Sequence, residues 1–317
     1  MDTEREIDVS IVVLTYFHEN YVAQALDSIL AQETGLRYEI LVGDDASQDR
    51  TPEILREYEA RYPERIKLTL RSENVGGTRN GTDLYSRARG KYIANLEGDD
   101  YWVDPRKLQK QWEFLEAHPE YVGCCGKCVI VDENGIPDYT QTPQFVQCSQ
   151  VMTLEEFASG WQLPGQAGTF MYRNIYRDMD PADYAIRDTA HRNVGDKTIM
   201  LLLLPHGPFY CSNEILSAYR FVKSGGHNHF SRHYANPYRH YDMFMYPCRL
   251  ESWARKALGL KAHLGKQKDN RFRHFIEETV KDPSPVRMKY ILNMIVHSHQ
   301  PVKYMGLVVK TLIELED

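Results

Sequence analysis

The chain has 317 residues, of which 42% are hydrophobic, so it is long and apolar enough for one large domain or two moderate ones. The acidic segment 1–8 is followed by no apolar stretch suited to a signal peptide, and the longest apolar run, residues 199–205, is too short to cross a bilayer. These features predict a cytoplasmic protein rather than a membrane-spanning one.

The net charge of −6 is unevenly distributed along the chain. Residues 220–317 contain 17 Lys and Arg against 9 Asp and Glu, a net charge of +8, which leaves 21 against 35, or −14, for residues 1–219. The acidic N-terminal part opposes nucleic-acid binding, because a phosphate backbone requires a basic surface. The six cysteines include one Cys-x-x-Cys pair but no second pair at zinc-binding spacing, which favours reduced, buried thiols.

The N-terminal third of the chain alternates between β-branched runs and helical patterns. Strands are predicted at 8–16, 38–45, 65–72 and 91–97, with helices between them. Thr51 is predicted as the N-cap of the second helix, because Pro52 suits the first helical position. This β-α repetition predicts right-handed crossovers and a parallel sheet with helices on both faces.

Polar clusters follow three of these strands. They are "TYFHE" after the first strand, "DDAS" after the second and "EGDD" after the fourth. Ligands of such sheets bind outside the carboxyl ends of the strands, so the three loops are expected to meet at one crevice. The G-x-G-x-x-G of a dinucleotide site is absent after the first strand. The acidic loops instead suggest that Mg²⁺ or Mn²⁺ holds the phosphates of a ligand.

The remainder of the chain shows fewer regular patterns. A helix is predicted from Asp104 and Pro105, and the stretch 121–135 predicts a strand that leads into an Asn-Gly turn. Residues 136–170 look irregular, a short helix is predicted around 196–204, and the chain becomes helical from about residue 240.

Five ordered motifs resemble those of family 2 glycosyltransferases, which are nucleotide-sugar enzymes of the GT-A fold. They are "VSIVVLTYFHENYVAQALDSILAQ", "EILVGDDASQDRTPEIL", "NVGGTRNG", "GKYIANLEGDDYW" and "VGDKTIM", and the resemblance covers roughly residues 8–225. It implies an α/β GT-A domain over 1–225, with a nucleotide-binding part at 1–103 and an acceptor-binding part at 104–225. Residues 226–317 are predicted to form a basic, mainly helical C-terminal extension.

The resemblance implies a donor site at the ends of the first strands. Thr15 and Tyr16 stand where the family contacts and stacks on the nucleotide base, and Asp45 stands where it binds the uracil edge, supported by Asp44. An acidic turn that caps the next helix is the alternative for the two aspartates. The implied donor site also includes Glu19, Arg79 and Glu97. For Arg79, an ordinary surface position is the alternative.

The family's D-x-D motif appears as Glu97-Gly98-Asp99, in which Glu97 departs from the usual aspartate. The resemblance implies that Asp99 binds the divalent cation directly, while Asp100 either assists it or caps the following loop. Asp196 matches the family's catalytic base, which takes the proton of the acceptor hydroxyl as that oxygen attacks the anomeric carbon. A plain helix-capping role is the alternative for Asp196, and the two roles are compatible.

The acceptor site is implied at 163–174, with Gly168 and Thr169 in its floor and Trp161 available to stack on a sugar ring; a core position is the alternative for Trp161. The stretch 217–230 has the glycine-rich, basic character of a loop that closes over the diphosphate. His227 or His229 is a candidate to complete the metal shell, although a histidine in such a tail is more often not a ligand.

Together these features predict a metal-dependent, inverting enzyme that transfers a sugar from a UDP-sugar to a glycan or lipid-linked acceptor, in surface-polysaccharide synthesis. The alternatives are a non-catalytic protein that binds nucleotide-sugars and, less consistent with the first loop, a nucleotidyltransferase. Three interpretations of the basic C-terminal helices remain open: peripheral contact with the inner face of a membrane, a homo-oligomer interface, or a helical cap.

Overall fold

A computed structural model describes residues 6–141, 143, 146, 150–160, 162–222, 236–260 and 267–316. Within these residues the chain divides into two compact units, one at 6–157 and 162–222 and the other at 158–160 and 236–316. Trp161, His227 and His229 lie outside the described residues, so their predicted roles in acceptor and metal binding stay predictions.

The described part of the first unit is built around a ten-stranded sheet. Its strands are β1 (Val9–Thr15), β2 (Tyr38–Asp44), β3 (Ile66–Leu70), β4 (Tyr92–Glu97), β5 (Tyr101–Trp102), β6 (Gly123–Val131), β7 (Pro137–Asp138), β8 (Val151–Met152), β9 (Met171–Arg173) and β10 (Phe209–Arg220).

The strand order is β3-β2-β1-β4-β9-β6-β10-β5, with β7 beside β6 and β8 beside β10. The four N-terminal strands pair in parallel, as the β-α repetition predicts, and β6 and β10 are also parallel. The short strand β9 runs antiparallel to both of its neighbours, β4 and β6, and joins the two parallel parts of the sheet. The short strands β5, β7 and β8, which pair antiparallel to their neighbours, complete the sheet.

Eight helices of the described residues lie in or begin within the first unit. They are α1 (Val22–Leu30), α2 (Thr51–Arg61), α3 (Gly77–Arg87), α4 (Lys107–Ala117), α5 (Leu154–Gly160), α6 (Pro181–Tyr184), α7 (Ile186–Ala190) and α8 (Asp196–Leu203). The amphipathic pattern of α1 explains its packing, because its apolar stripe of Val22, Leu26 and Ile29 is fully buried. The short helix predicted around 196–204 is observed as α8.

The prediction of Thr51 as an N-cap is wrong by one residue. Helix α2 begins at Thr51 itself, and Arg50 occupies the N-cap position. The Thr51 hydroxyl instead accepts a hydrogen bond of 2.9 Å from the backbone N–H of His18, in the loop after β1. The side chain that looked like a local helix signal thus holds two loops together.

The second unit contains α9 (Arg239–Leu258), α10 (Gln267–Lys281), α11 (Pro285–His297) and α12 (Pro301–Glu316). Its core is aromatic, with Phe244, Phe272, Phe275 and Tyr304 buried between the four helices. The predicted helical character of the chain from about residue 240 is therefore confirmed for the described residues. Across the described residues, every helix is too short or too polar to cross a membrane.

Candidate donor and acid site

The polar loops meet because the strand register places their ends side by side. Thr15 at the end of β1 pairs with Asp44 at the end of β2, and Leu14 pairs with Glu97 at the end of β4. Gly98 lies so close to the first loop that a Cβ atom would stand 2.6 Å from Thr15 Cγ2 and 2.8 Å from His18 Nδ1. A glycine is therefore required between the acids of the Glu97-Gly98-Asp99 motif.

Asp44 is buried and holds the loop that follows β2. Its carboxylate accepts hydrogen bonds from the Thr15 hydroxyl at 2.9 Å, the Ser47 hydroxyl at 2.6 Å and the Ser47 backbone N–H at 2.9 Å. These bonds satisfy the buried charge and connect the ends of β1 and β2. Asp44 and Thr15 thus lie next to the predicted base site and stabilise it.

Asp45 is also buried and holds the segment before α3. One carboxylate oxygen accepts the backbone N–H of Val75 at 2.7 Å, and the other accepts the backbone N–H of Gly76 at 2.9 Å. Gly76 has a φ of 93°, a conformation that favours glycine. Each Asp45 oxygen keeps a second lone pair, so the arrangement is compatible with a contact to a uracil imide.

The other predicted donor residues lie around this pair. Tyr16 is half-buried, and the ring of Phe17 packs edge-on against it at a centroid distance of 4.8 Å. The Glu19 carboxylate accepts the backbone N–H of Arg50 at 2.9 Å, which ties the first loop to the start of α2. Arg79 is exposed on α3.

Asp196, which is distant in sequence, adds its charge to those of Glu97 and Asp99 at the end of β4. Burial, followed by the charges of Asp99 and Asp196, raises the pKa of Glu97 to about 8. The pKa of Tyr219 on β10 is raised by burial and by Asp100, Asp99 and Asp196. Asp196 lies in the first turn of α8, so the tertiary structure brings the predicted base to the predicted metal ligands.

His18 adds an imidazole to the acidic cluster. Its Nε2 lies 3.6 Å from the Asp99 carboxylate, and its buried Nδ1 has no hydrogen-bond partner in the described structure. The Asp99 side chain is 24% exposed, in contrast to the buried Asp100 next to it. Asp99 is therefore the more accessible of the two predicted metal ligands.

Asp100 is held from both sides by protein groups. One carboxylate oxygen accepts the Gln166 side-chain amide at 2.8 Å, and the other accepts the backbone N–H of Arg220 at 2.8 Å. Burial and the neighbouring Asp99 raise its pKa well above the usual range. This environment gives Asp100 a structural contact to β10 that the sequence did not reveal.

Gly168 and Thr169, the predicted floor of the acceptor site, are buried in a short 3₁₀ turn at Ala167–Thr169. The Gly168 carbonyl accepts the Trp102 indole N–H at 2.8 Å, and the Thr169 hydroxyl donates to the Gln166 carbonyl at 2.7 Å. This turn supports Gln166, which in turn holds Asp100.

A buried lysine, Lys107, is linked through Gln111 to the 3₁₀ turn at Ala167–Thr169. The Lys107 ammonium stands 4.2 Å from the centre of the Trp102 ring and donates to the Gln111 side chain at 2.7 Å. Gln111 donates in turn to the Thr169 carbonyl at 2.8 Å. Burial lowers the pKa of Lys107 to about 7. Lys107, Gln111 and the Thr169 carbonyl thus form a chain of hydrogen bonds beside Trp102, which follows the acidic residues 97–100.

Arg220 contacts three separate segments of the first unit, at residues 21–24, 99–100 and 132–133. Its guanidinium donates to the carbonyl oxygens of Asp99 at 2.9 Å, Asp132 at 3.0 Å and Glu133 at 3.1 Å, and to the Gln24 side chain at 2.7 Å. The guanidinium also lies over the ring of Tyr21, 4.4 Å from its centroid. Together with the hydrogen bond from the Arg220 backbone N–H to Asp100, these contacts hold the loop at residues 97–100 in place.

Replacing Arg220 by Lys is expected to destabilise the protein by about 1–3 kcal/mol, because an ammonium cannot reproduce the planar fork and the ring contact. For a domain of this size that corresponds to a fall in Tm of roughly 2–4 °C per kcal/mol. Thermal unfolding measures the effect. The control Arg87→Lys alters an exposed ion pair with Asp83 and should shift the Tm much less. Equal shifts for both variants would contradict the proposed role of Arg220.

The raised pKa of Glu97 predicts how stability depends on pH. Between about pH 4.5 and 8 the unfolded chain has lost this proton while the folded protein keeps it, so the metal-free protein should become less stable as the pH rises. Glu97→Gln should flatten this slope, whereas Glu133→Gln at an exposed turn should not. Denaturant titrations across this pH range test the prediction, and an unchanged slope in Glu97→Gln would contradict it.

The comparison with solved structures defines the class of the fold. The chain superposes on Staphylococcus aureus TarS residues 1–349, solved in complex with UDP-GlcNAc, with a TM-score of 0.60 at 17% identity, covering 95% of this chain and 84% of that one. The mannosyltransferase PcManGT of Pyrobaculum calidifontis, solved with GDP-Man and Mn²⁺, gives a TM-score of 0.54 at 13% identity, covering 98% and 88%. The predicted GT-A fold of the α/β class is therefore confirmed.

Residues 10–178, more than half of the chain, match the sequence profile of Glycosyl transferase family 2. The chain belongs to this family, as its motifs predict. An uncharacterized protein of Mycobacterium tuberculosis is 45% identical over 130 residues, covering 41% of this chain and 38% of that protein. The putative teichuronic acid biosynthesis glycosyltransferase TuaG of Bacillus subtilis is 36% identical over 148 residues, covering 47% and 56%. The match thus spans 38% of the length of the first relative and 56% of the second.

Proposed function

We propose that the protein is a metal-dependent, inverting glycosyltransferase that moves a sugar from a UDP-sugar to a hydroxyl of a glycan or lipid-linked glycan. Family membership supports glycosyl transfer, and the relative TuaG, by its description, belongs to polysaccharide synthesis. The observation that carries the proposal is that Asp196, at the start of α8, acts electrostatically on Glu97 and, together with Asp99, on Tyr219, because a transferase needs a base near the anomeric carbon of its donor.

The donor would bind at the carboxyl ends of β1, β2 and β4. Tyr16 offers an aromatic face for the base, and Asp45 offers carboxylate lone pairs for the uracil N–H. Asp44 and Arg220 keep the loops in place through the hydrogen bonds described above. Glu97 would face the ribose or a water bound to the metal.

The acidic cluster fits a divalent cation by its chemistry. Carboxylate oxygens are the ligands that Mg²⁺ and Mn²⁺ prefer, and a cation at this site would offset the burial and the Asp99 and Asp196 charges that raise the pKa of Glu97. Within the described residues no group of three or more His, Cys, Asp or Glu side chains could hold a metal ion by itself, so in this proposal phosphate oxygens and waters complete the coordination. Asp99 would hold the ion, which when bound neutralises the charge of the leaving diphosphate.

Asp196 would act as the general base. An inverting transfer requires one carboxylate to accept the proton of the acceptor hydroxyl as its oxygen forms the new bond to the anomeric carbon. The bond from that carbon to the diphosphate breaks on the opposite face, and UDP leaves. Asp196 in the first turn of α8 also interacts favourably with the helix dipole, so its structural and catalytic roles are compatible.

A screen of nucleotide-sugars tests the proposed function. The protein is incubated with UDP-hexoses, UDP-N-acetylhexosamines and GDP-mannose, each with Mn²⁺, Mg²⁺ or EDTA, and thermal stabilisation and release of the nucleotide are measured. A ligand at a hundred times its Kd should stabilise the protein by about 2.7 kcal/mol. Metal-dependent release from one UDP-sugar supports the proposal. Stabilisation without any turnover in the presence of candidate acceptors would support the non-catalytic alternative, and a preference for GDP-mannose would contradict the uridine assignment.

A further inference from the structure

One face of helix α3 packs against the part of the chain that leads to Asp196. Four residues at helical spacing form this face: Thr78, Gly81, Thr82 and Tyr85. Helix α3 contacts α7, and the chain then turns into α8, whose first residue is Asp196. We call residues 186–195, which comprise α7 and the turn after it, the pre-α8 segment. Its position determines where the proposed base stands.

Thr78 makes three hydrogen bonds to the pre-α8 segment. Its hydroxyl donates to the carbonyl oxygens of His191 at 2.9 Å and Arg192 at 2.8 Å, and its backbone N–H donates to the same Arg192 carbonyl at 3.1 Å. Because a hydroxyl carries one proton, the two carbonyls share it. Thr78 is buried, so water does not compete for these bonds. One side chain thus ties two successive peptide groups of the segment to α3.

The turn at residues 191–194 is also held from within. The Nδ1 atom of the His191 ring accepts two backbone N–H groups of the turn, at 3.1 and 3.0 Å. The Asn193 side chain accepts the backbone N–H of Gly77, at the start of α3, at 3.3 Å. The turn is therefore a stiff connection between α3 and Asp196, which lies two residues beyond its end.

Two glycines permit the close approach of the two chains. A Cβ atom at Gly76 would stand 2.7 Å from the Arg192 carbonyl oxygen, and one at Gly195 would stand 3.3 Å from Thr78 Cγ2. Gly76 belongs to the motif "NVGGTRNG" and Gly195 to the motif "VGDKTIM". The glycines of these two distant motifs therefore serve the same contact.

A buried arginine completes the contact between α3 and the pre-α8 segment. The Arg187 guanidinium stands 4.4 Å from the centre of the Tyr85 ring and donates to the Thr82 hydroxyl at 3.3 Å. Arg187 is 2% exposed, and among the described residues no acid forms a salt bridge with it. A buried cation carries a large desolvation cost, so stability alone does not explain a guanidinium at this place.

We propose that Thr78 is a positioning residue for the general base Asp196. The Asp45 carboxylate, on the donor side, accepts the backbone N–H groups of residues 75 and 76, and Thr78 just beyond them holds the pre-α8 segment. The donor side and the base are thus connected by a short series of hydrogen bonds. The inference rests on the proposed function, because it takes Asp196 as the base. A misplacement of about 1 Å at a reacting group costs on the order of 10²-fold in rate.

Two substitutions of Thr78 in the full chain test the inference. Valine keeps the branched shape and removes the hydroxyl, whereas serine keeps the hydroxyl. Thr78→Val should lower kcat for sugar transfer by about 10- to 100-fold while the Kd of UDP changes less than about twofold. Thr78→Ser should retain most of the wild-type rate. The control Thr189→Val removes a hydrogen bond within α7 at an exposed position and should transfer at the wild-type rate.

Hydrogen exchange provides a measurement that does not depend on turnover. In Thr78→Val the amides of residues 193–200 should exchange at least about fivefold faster than in the wild type, while those of α10 in the second unit stay unchanged. Unchanged exchange at 193–200 would overturn the inference. So would equal losses of kcat in the valine and serine variants, or a loss of UDP affinity as large as the loss of kcat.

The nucleotide-sugar screen on the wild type separates this inference from the proposed function. If the wild type transfers no sugar, the proposed function itself is wrong. If the wild type transfers sugar and Thr78→Val does so at the same rate, only the positioning role of Thr78 is wrong.

Discussion

Replacing Asp196 by Asn is expected to reduce sugar transfer by about 10²–10⁴-fold, the range over which a positioned general base accelerates a reaction. The amide keeps the shape of the side chain but cannot accept the acceptor proton. Because Asp196 acts on the acceptor side, the affinity for UDP measured by titration calorimetry should stay nearly unchanged. Turnover is measured as UDP release from the donor identified in the screen, with and without acceptor.

Asp188→Asn is the matched control for this experiment. Asp188 also lies in the first turn of a helix, α7, but it is exposed and is not among the charges that raise the pKa of Glu97. This variant should transfer sugar at the wild-type rate. If Asp196→Asn did the same, the assignment of the base would be wrong. A parallel loss of UDP affinity and turnover would instead place Asp196 in donor binding.

Replacing Asp99 by Asn is expected to abolish most of the metal dependence of UDP binding. Loss of a residue that only orients a metal ligand typically costs 10–100-fold in metal affinity, so loss of a direct carboxylate ligand should cost on the order of 10²-fold or more. The wild type and the variant should therefore differ in the presence of Mn²⁺ and converge in EDTA. Calorimetric titration of UDP under both conditions measures the difference.

Two further variants make this result specific. Glu133→Gln removes an exposed acid from the turn whose backbone contacts Arg220, and it should leave UDP binding unchanged. Asp100→Asn tests the neighbouring acid, whose oxygens are already occupied by Gln166 and the Arg220 backbone. If Asp100→Asn alone removed the metal dependence, Asp100 rather than Asp99 would be the direct ligand. UDP binding by the wild type that is unaffected by EDTA would contradict the metal assignment itself.

The sheet and the position of the crevice were predictable because they follow from local patterns. β-branched runs alternate with amphipathic helices, and consecutive β-α units have one favoured handedness. The acids of the loops after β1, β2 and β4 therefore had to approach one another. The required glycine at Gly98 was visible in the sequence, but the reason for it was not, since the clash involves Thr15 at the end of β1 and His18 in the loop after it.

Other parts of the site were not predictable from local patterns. His18 and Gln166 stood inside motifs that drew attention for other residues, and Tyr219 and Arg220 stood at the start of a stretch interpreted as a closing loop. Arg220 acts through backbone carbonyl oxygens, which every residue has, so no spacing of side chains indicates its role. For Gly168 and Thr169 the sequence indicated proximity to the site, but their burial depends on packing against Trp102 and Gln111.

The amino-acid sequence by itself determined the α/β architecture, the family and the three acidic loops, because hydrophobic periodicity and short motifs are local properties of the chain. Only the tertiary structure decided which carboxylates are accessible and which are held by the protein. Asp99 and Asp100 are adjacent and chemically identical, yet one is partly exposed beside His18 while the other is buried between Gln166 and Arg220. Their difference arises from β10 and from the turn at 167–169, which are distant in sequence and meet the loop only in the folded protein.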